Sequence, residues 1–132
     1  MSTMRVTTRV RRDDQAVVTE ARGYELVMDQ SKKNGGLENT LKPMEVLLAA
    51  LGGCITMVAK GQAALKGVDI REISLNIEGE YDSDGFSAIA IRANVASSSS
   101  KEAIEEFLHH VESVCPVSNS LKAHISMEVV LE

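Results

Sequence analysis

The chain has 132 residues, a quarter of them charged, and a formal net charge of −5. This length predicts one domain, residues 1–132, with a core that needs no disulfides. The acidic balance, without basic patches interleaved with aromatic residues, argues against a nucleic-acid partner. The N-terminus has no apolar signal segment, and the run Val46 to Leu51 is far shorter than the roughly 20 residues of a bilayer span. We therefore expect a cytoplasmic protein with no membrane partner.

Alternating apolar and polar residues predict three short strands before residue 30. A polar stretch at residues 12–15 and a glycine at position 23 provide the turns between them. Residues 31–41 have no periodicity and are expected to form a loop. The strand residues that alternate are Val6, Thr8 and Val10, then Ala16 to Glu20, then Tyr24, Leu26 and Met28.

Residues 44–65 predict a helix that is apolar on nearly every side. Pro43 suits its first turn, and Glu45 complements the positive end of its dipole. Gly52 and Gly53 each cost about 1 kcal/mol relative to Ala in a helix interior, which suggests that a neighbour approaches closely there. In so small a chain, burial of this helix is easiest against a second subunit, so a homodimer is expected.

The second half predicts two strands, a helix and a final strand. The turn Asp82–Gly85 joins the strands at residues 68–77 and 89–95, and Ser99 with Glu102 resembles a capping box. Pro116 bends or restarts the helix that follows, and residues 125–131 alternate again. The order βββ-α-ββ-α-β predicts an α+β fold with antiparallel sheets around a long hydrophobic central helix.

The two cysteines lie in unusual contexts. Cys54 follows two glycines inside the apolar helix, and Cys115 precedes a proline that can begin a new helical segment. A thiol at a helix N-terminus is stabilised as thiolate, the reactive form. In the cytoplasm thiols stay reduced, so the pair can be redox-active, although two inert core thiols remain an alternative.

Charged residues near these thiols have structural and functional alternatives. Glu45 lies nine residues before Cys54, so on a straight helix the two point in opposite directions. Either the glycine pair distorts the helix, or Glu45 serves a site with another subunit's cysteine, or it only complements the helix dipole. Arg12, with Arg11 in reserve, is either a solvated turn residue or a guanidinium that holds a thiolate or Glu45. The spacing of Cys and His predicts no metal site.

Two motifs together resemble one family. Pro-Met-Glu-Val-Leu-Leu-Ala-Ala-Leu-Gly-Gly-Cys at residues 43–54 and Val-Cys-Pro-Val-Ser-Asn at residues 114–119 are similar to the OsmC/Ohr family of osmotically inducible and organic-hydroperoxide-resistance proteins. The Leu-Gly-Gly-Cys form resembles an OsmC-like branch, with the glutamate nine rather than ten residues before the cysteine. The resemblance extends over nearly the whole chain.

This resemblance implies an intertwined homodimer with active sites at the subunit interface. It implies that Cys54 is the peroxidatic cysteine, that Cys115 is the resolving cysteine, and that Glu45 and Arg12 complete the site. It also implies a substrate, an organic hydroperoxide, and an external dithiol reductant of the lipoyl type or a small thiol, with no bound cofactor. The alkyl group would lie against apolar residues, for which the sequence suggests Leu47, Leu48, Leu51, Met57 and Phe107.

The expected function is therefore a thiol-dependent peroxidase. Cys54 forms a sulfenic acid with the peroxide, and Cys115 condenses with it to a disulfide. Two alternatives belong to other classes: a non-enzymatic or weakly active redox-sensing or ligand-binding dimer, and a structural dimer with inert thiols.

Overall fold

The computed structural model describes residues 1–121 and 124–132. The chain forms two compact units, Met1–Leu47 and Leu48–Glu132. The boundary falls inside a long helix, α1 (Pro43–Gln62), so this helix contributes to both units. The single domain expected over residues 1–132 stays a prediction.

The N-terminal unit contains a three-stranded antiparallel sheet in the order β1-β2-β3, as the alternating pattern predicts. Arg22 and Gly23 both have positive φ, 53° and 86°, the backbone geometry of a two-residue hairpin turn between β2 and β3. Only β2 and the residue before it contribute buried apolar side chains, Val18 and Ala16. The strands are β1 (Thr7–Val10), β2 (Val17–Ala21) and β3 (Tyr24–Met28).

The loop between β3 and α1 is held by one buried carboxylate. Asp29 accepts hydrogen bonds from the backbone N–H groups of Gln30 (2.7 Å) and Leu37 (3.2 Å). A Cβ at Gly36 would lie 2.1 Å from the carbonyl oxygen of Gln30, so only glycine fits at this position. The stretch without periodicity in the sequence is therefore an ordered loop that contains a short 3₁₀ turn, Lys32–Asn34.

The C-terminal unit contains a second three-stranded sheet, β4-β5-β6, with two helices between its last two strands. β4 and β5 form an antiparallel hairpin, whereas β5 and β6 pair in parallel. The expectation of antiparallel pairing is wrong for this last pair, because the helical crossover between β5 and β6 returns the chain to the same end of the sheet. The elements are β4 (Glu72–Asp82), β5 (Gly85–Ala96), α2 (Lys101–Val114), α3 (Pro116–Ser120) and β6 (His124–Leu131).

The main hydrophobic core belongs to the C-terminal unit. Alternate residues of β5 point into it because successive side chains of a strand face opposite sides. The apolar face of α2 and three residues of α1 complete it. Its buried members include Ile89, Ile91, Ala93 and Val95 of β5, Ile104, Phe107, Leu108 and Val111 of α2, and Leu51, Ile55 and Ala59 of α1.

Element order and class agree with the predictions, and several boundaries differ. β4 begins at Glu72 rather than at residue 68. α1 ends at Gln62 rather than at residue 65, and a 3₁₀ turn, Ala64–Lys66, follows it. The N-cap of α2 is Ser100, whose side chain accepts from the Ala103 N–H, and not Ser99. Ser99 instead accepts a hydrogen bond from the backbone N–H of Asp69 (3.0 Å), which sequence spacing could not show.

α1 is long and apolar enough, by length and composition alone, to cross a membrane. The apolar segment is longer than the run Val46 to Leu51 that the sequence analysis considered, because small and uncharged residues extend the apolar character to the end of the helix. Core helices of soluble proteins have the same composition. Here Leu51, Ile55 and Ala59 are buried in the core, whereas Met57 is 76% exposed.

Candidate active site

Cys54 lies in the middle of α1 and is half-buried. The two glycines before it differ in their surroundings. A Cβ at Gly52 would lie 2.5 Å from Cδ1 of Ile77 on β4, while a Cβ at Gly53 would have nothing within 4 Å. Gly52 therefore permits close packing of helix on sheet, and Gly53, the residue before the cysteine, faces open space.

Cys115 lies at the bend between α2 and α3 and is completely buried. Its backbone is extended (φ −71°, ψ 119°), as a residue before proline prefers. Its Sγ caps the start of α3 by accepting a hydrogen bond from the backbone N–H of Ser118 (3.4 Å). The proline that interrupts the helix thus places the thiol inside the core.

The structure brings the two thiols together. Burial raises the pKa of the Cys115 thiol, and a side-chain hydrogen bond with Cys54 and the negative charge of a Cys54 thiolate raise it further. Backbone N–H groups of Ser118 and Val117 act in the opposite direction without outweighing burial. The expectation that the helix N-terminus stabilises a thiolate at Cys115 is therefore wrong. Cys115 is held as a neutral thiol beside Cys54.

A second polar link crosses the bend next to Cys115. The Ser118 hydroxyl donates to Oε1 of Glu112 over 2.7 Å, and Ser118 is only 6% exposed. Glu112 belongs to the last turn of α2, and Ser118 lies within α3. Sequence reasoning missed Glu112, and the only signal was a carboxylate and a hydroxyl six residues apart on either side of a proline.

Glu45 caps α1. Its Oε1 accepts a hydrogen bond from the backbone N–H of Lys42 (2.8 Å), which is the first-turn role that the sequence allowed. α1 continues without interruption through Gly52 and Gly53, so these glycines do not break the helix. Residues nine apart on an uninterrupted helix lie on opposite sides of it.

The two adjacent arginines have different surroundings. Arg11 forms a bidentate ion pair with Asp14: its Nε donates to Oδ1 over 2.9 Å and its Nη2 donates to Oδ2 over 2.5 Å. This hydrogen-bonded pair lowers the pKa of Asp14 to about 2. Arg12 is exposed, and no ion pair involves it within residues 1–121 and 124–132. Arg12 therefore has its guanidinium available, and Arg11 does not.

The predicted pocket residues do not share one environment. Leu51 and Phe107 are core residues, and Leu48 packs against that core. Leu47 is 37% exposed in the N-terminal unit. Met57 lies along an apolar groove of about 360 Å³ between α1 and β4, which is lined by Ala49, Gly52, Gly53, Thr56, Met57, Leu75 and Ile77.

No group of three or more His, Cys, Asp or Glu side chains with the arrangement of a metal site occurs among the residues that the structure describes.

Comparison with known proteins gives a consistent result. The family model for OsmC-like proteins matches residues 35–130. A hydroperoxide reductase of Mycoplasma genitalium is 27% identical over 135 residues, which cover 93% of this chain and 94% of that protein.

Two solved structures have the same fold. An OsmC-like protein from Mycoplasma pneumoniae superimposes with a TM-score of 0.85 at 22% identity, covering 98% of this chain and 97% of that one. An organic hydroperoxide resistance protein, OsmC, from Legionella pneumophila gives 0.75 at 17% identity, with 100% and 98% covered. The chain belongs to the OsmC-like family.

Proposed function

We propose that this protein is a thiol-dependent peroxidase that reduces organic hydroperoxides to alcohols. The observation that carries this proposal is the pair of neighbouring reduced thiols, one half-buried and one completely buried. The names of the Mycoplasma genitalium and Legionella pneumophila relatives support the same class of substrate.

The reaction has three steps. The Cys54 thiolate attacks the distal oxygen of the hydroperoxide, the O–O bond breaks, and the alkoxide leaves as the alcohol after taking up a proton. Cys54 is then a sulfenic acid. Cys115 attacks the sulfenate sulfur, a water molecule leaves and a Cys54–Cys115 disulfide forms. An external dithiol, of the lipoyl type or a small thiol, reduces the disulfide by exchange and is itself oxidised.

Arg12 and Glu45 complete the site in this proposal. Arg12 is the better of the two arginines because Arg11 is already paired with Asp14. Its guanidinium stabilises the Cys54 thiolate and the oxygen that develops negative charge. Because α1 is uninterrupted, Glu45 acts at the Cys54 of a second subunit rather than at its own.

The proposed assembly is a cytoplasmic homodimer. Only four residues of the 20-residue α1 are buried within one chain, and its apolar residues Leu47 and Met57 are exposed. A second copy covers this apolar surface, and stability then depends on protein concentration. Sedimentation that gives a monomeric mass, with unchanged helicity, would contradict the dimer.

The apolar groove between α1 and β4, whose lining includes Gly53 next to Cys54 in the sequence, is the proposed site for the alkyl group of an organic peroxide. Gly53 leaves its floor open, and Leu75, Ile77 and Met57 supply apolar walls. An alkyl group gains free energy in such a groove in proportion to its buried area, whereas hydrogen peroxide gains none.

Steady-state kinetics test the proposal. Cumene hydroperoxide and hydrogen peroxide are compared as substrates, with dihydrolipoamide as the reductant and Cys54→Ser as the control. We expect turnover with a higher kcat/KM for cumene hydroperoxide. Oxidation of one equivalent without turnover would instead favour the redox-sensing dimer, and no oxidation at all would favour inert thiols.

A further inference from the structure

We propose that Glu112 and Ser118 are positioning residues for the second step: their hydrogen bond fixes the bend between α2 and α3 so that Cys115 stays against Cys54. This inference rests on the proposed function, because it assigns the residues that prepare Cys115 to resolve the oxidised Cys54. Their side chains do not contact the reacting sulfur atoms, although the backbone N–H of Ser118 donates to the Sγ of Cys115. They act through the backbone on either side of Cys115.

The bend needs such a restraint because the helix is broken there. Pro116 has no N–H to continue the hydrogen bonding of α2, and Cys115 is extended rather than helical. α3 has only five residues, too few to be stable as an isolated helix. Its orientation must therefore come from contacts with its neighbours.

The Glu112–Ser118 bond is suited to that task. A hydroxyl that donates to a carboxylate forms a shorter and stronger hydrogen bond than a neutral pair, and this one is 2.7 Å long. Ser118 is buried, so loss of the bond would leave a polar group without a partner in the core. A second link across the bend, from Nδ2 of Asn119 to the carbonyl oxygen of Ser113, is exposed to water and restrains it less.

Ser118 also connects the bond to the thiol itself. Its backbone N–H donates to the Sγ of Cys115 at 3.4 Å, while its side chain is held by Glu112. One residue therefore fixes both the turn and the direction of the sulfur. A disulfide requires a narrow range of Cα separations and a dihedral near 90°, so a shift of the bend penalises its formation.

The test separates the two chemical steps. Oxidation of Cys54 is measured as the peroxide consumed in the first turnover. Formation of the Cys54–Cys115 disulfide, here called closure, is measured by mass spectrometry of samples quenched at successive times. We expect Glu112→Ala and Ser118→Ala to slow closure roughly tenfold or more and to leave the first step unchanged. Over-oxidised Cys54 should accumulate in both variants.

Two variants provide controls. Glu112→Gln keeps an acceptor for the Ser118 hydroxyl and should restore most of the closure rate. Glu106→Ala removes an exposed carboxylate of the same helix and should change neither step. Thermal unfolding of every variant shows whether the fold is retained, and Ser118→Ala keeps the test valid if Glu112→Ala does not fold.

A reaction without peroxide distinguishes failure of this inference from failure of the proposed function. Cys54 thiolate displaces one thiolate from oxidised glutathione to form a mixed disulfide, and Cys115 then displaces the second and releases its proton to solvent. Glu112→Ala should accumulate the mixed disulfide in this reaction too. Closure at the wild-type rate in Glu112→Ala would overturn the positioning role. Normal closure in the wild type without any reaction with peroxide would leave that role standing and overturn the peroxidase.

Discussion

The two cysteines of this protein occupy opposite kinds of site. Cys54 lies within a continuous helix, half-exposed and beside a glycine that leaves open space. Cys115 lies at a helix break, completely buried and capped by a backbone N–H. In the proposed reaction this contrast gives the two thiols different roles: the oxidant reacts with Cys54, and Cys115 reacts only with the oxidised Cys54.

The largest expected effect separates the two thiols directly. Cys54→Ser should lower peroxide consumption roughly 10³-fold or more, because a hydroxyl cannot replace the attacking thiolate. Cys115→Ser should consume about one equivalent of peroxide per subunit and then stall, because the Cys54 sulfenic acid has no second thiol with which to form a disulfide; slower further consumption would mark its over-oxidation to sulfinic acid. Peroxide consumption followed against enzyme concentration distinguishes the two variants.

The opposite pattern would reverse the assignment. If Cys115→Ser loses the first equivalent while Cys54→Ser keeps it, Cys115 is the attacking thiol. Equal loss in both variants would indicate a structural need for the pair.

The two adjacent arginines should differ in their effect on the oxidation of Cys54. Arg12→Ala should lower the rate of the first oxidation by roughly 10²-fold, the cost of removing one group that stabilises developing charge. Arg11→Ala should leave that rate unchanged, because Arg11 is bound to Asp14. Single-turnover rates with the organic hydroperoxide provide the measurement. A larger loss in Arg11→Ala than in Arg12→Ala would transfer the catalytic role to Arg11.

Much of the fold follows from sequence patterns. The six strands and the two long helices were predicted in the right order, because alternation and helical spacing are local properties of the chain. The parallel pairing of β5 and β6 was missed, since an alternating strand has the same pattern whether its neighbour is parallel or antiparallel. Pro116 predicted the bend from the sequence. The five-residue α3 is stabilised by a contact between residues on either side of the bend, which a local sequence pattern does not show.

The site was predictable to a different extent. Both cysteines were recognisable from the residues around them, whereas the choice between Arg11 and Arg12 depends on which of them Asp14 pairs with. The shift at Cys115 was predicted with the wrong sign, because the helix N-terminus is visible in the sequence and the burial of the sulfur is not. Glu112 was missed because its partner lies across the bend.

The raised pKa of Cys115 predicts a loss of stability at alkaline pH. The folded state favours the neutral thiol, so this contribution is complete below the ordinary thiol pKa. It is lost as the pH rises through the folded value, because the unfolded chain ionises first. In reducing buffer, the free energy of unfolding by urea should fall more between pH 7 and pH 10 in the wild type than in Cys115→Ala. Equal slopes in the two proteins would show that burial of this thiol does not affect stability.

The two glycines give the smallest effect. Gly53→Ala should stabilise the protein by up to about 1 kcal/mol, because alanine favours the helix and the new methyl group meets no neighbour. Gly52→Ala should gain less or destabilise, because its Cβ would displace Ile77. Urea unfolding of both variants tests this order, and a more stable Gly52→Ala would contradict the packing of α1 on β4.

Intact mass after oxidation shows whether the two thiols act as one redox pair. The reduced protein is treated with one equivalent of cumene hydroperoxide, quenched with an alkylating agent and digested. We expect a chain that has lost two hydrogens, takes up no alkyl group and yields a peptide pair linked through Cys54 and Cys115. A chain that gains oxygen at Cys54 while Cys115 remains alkylatable after denaturation would contradict it.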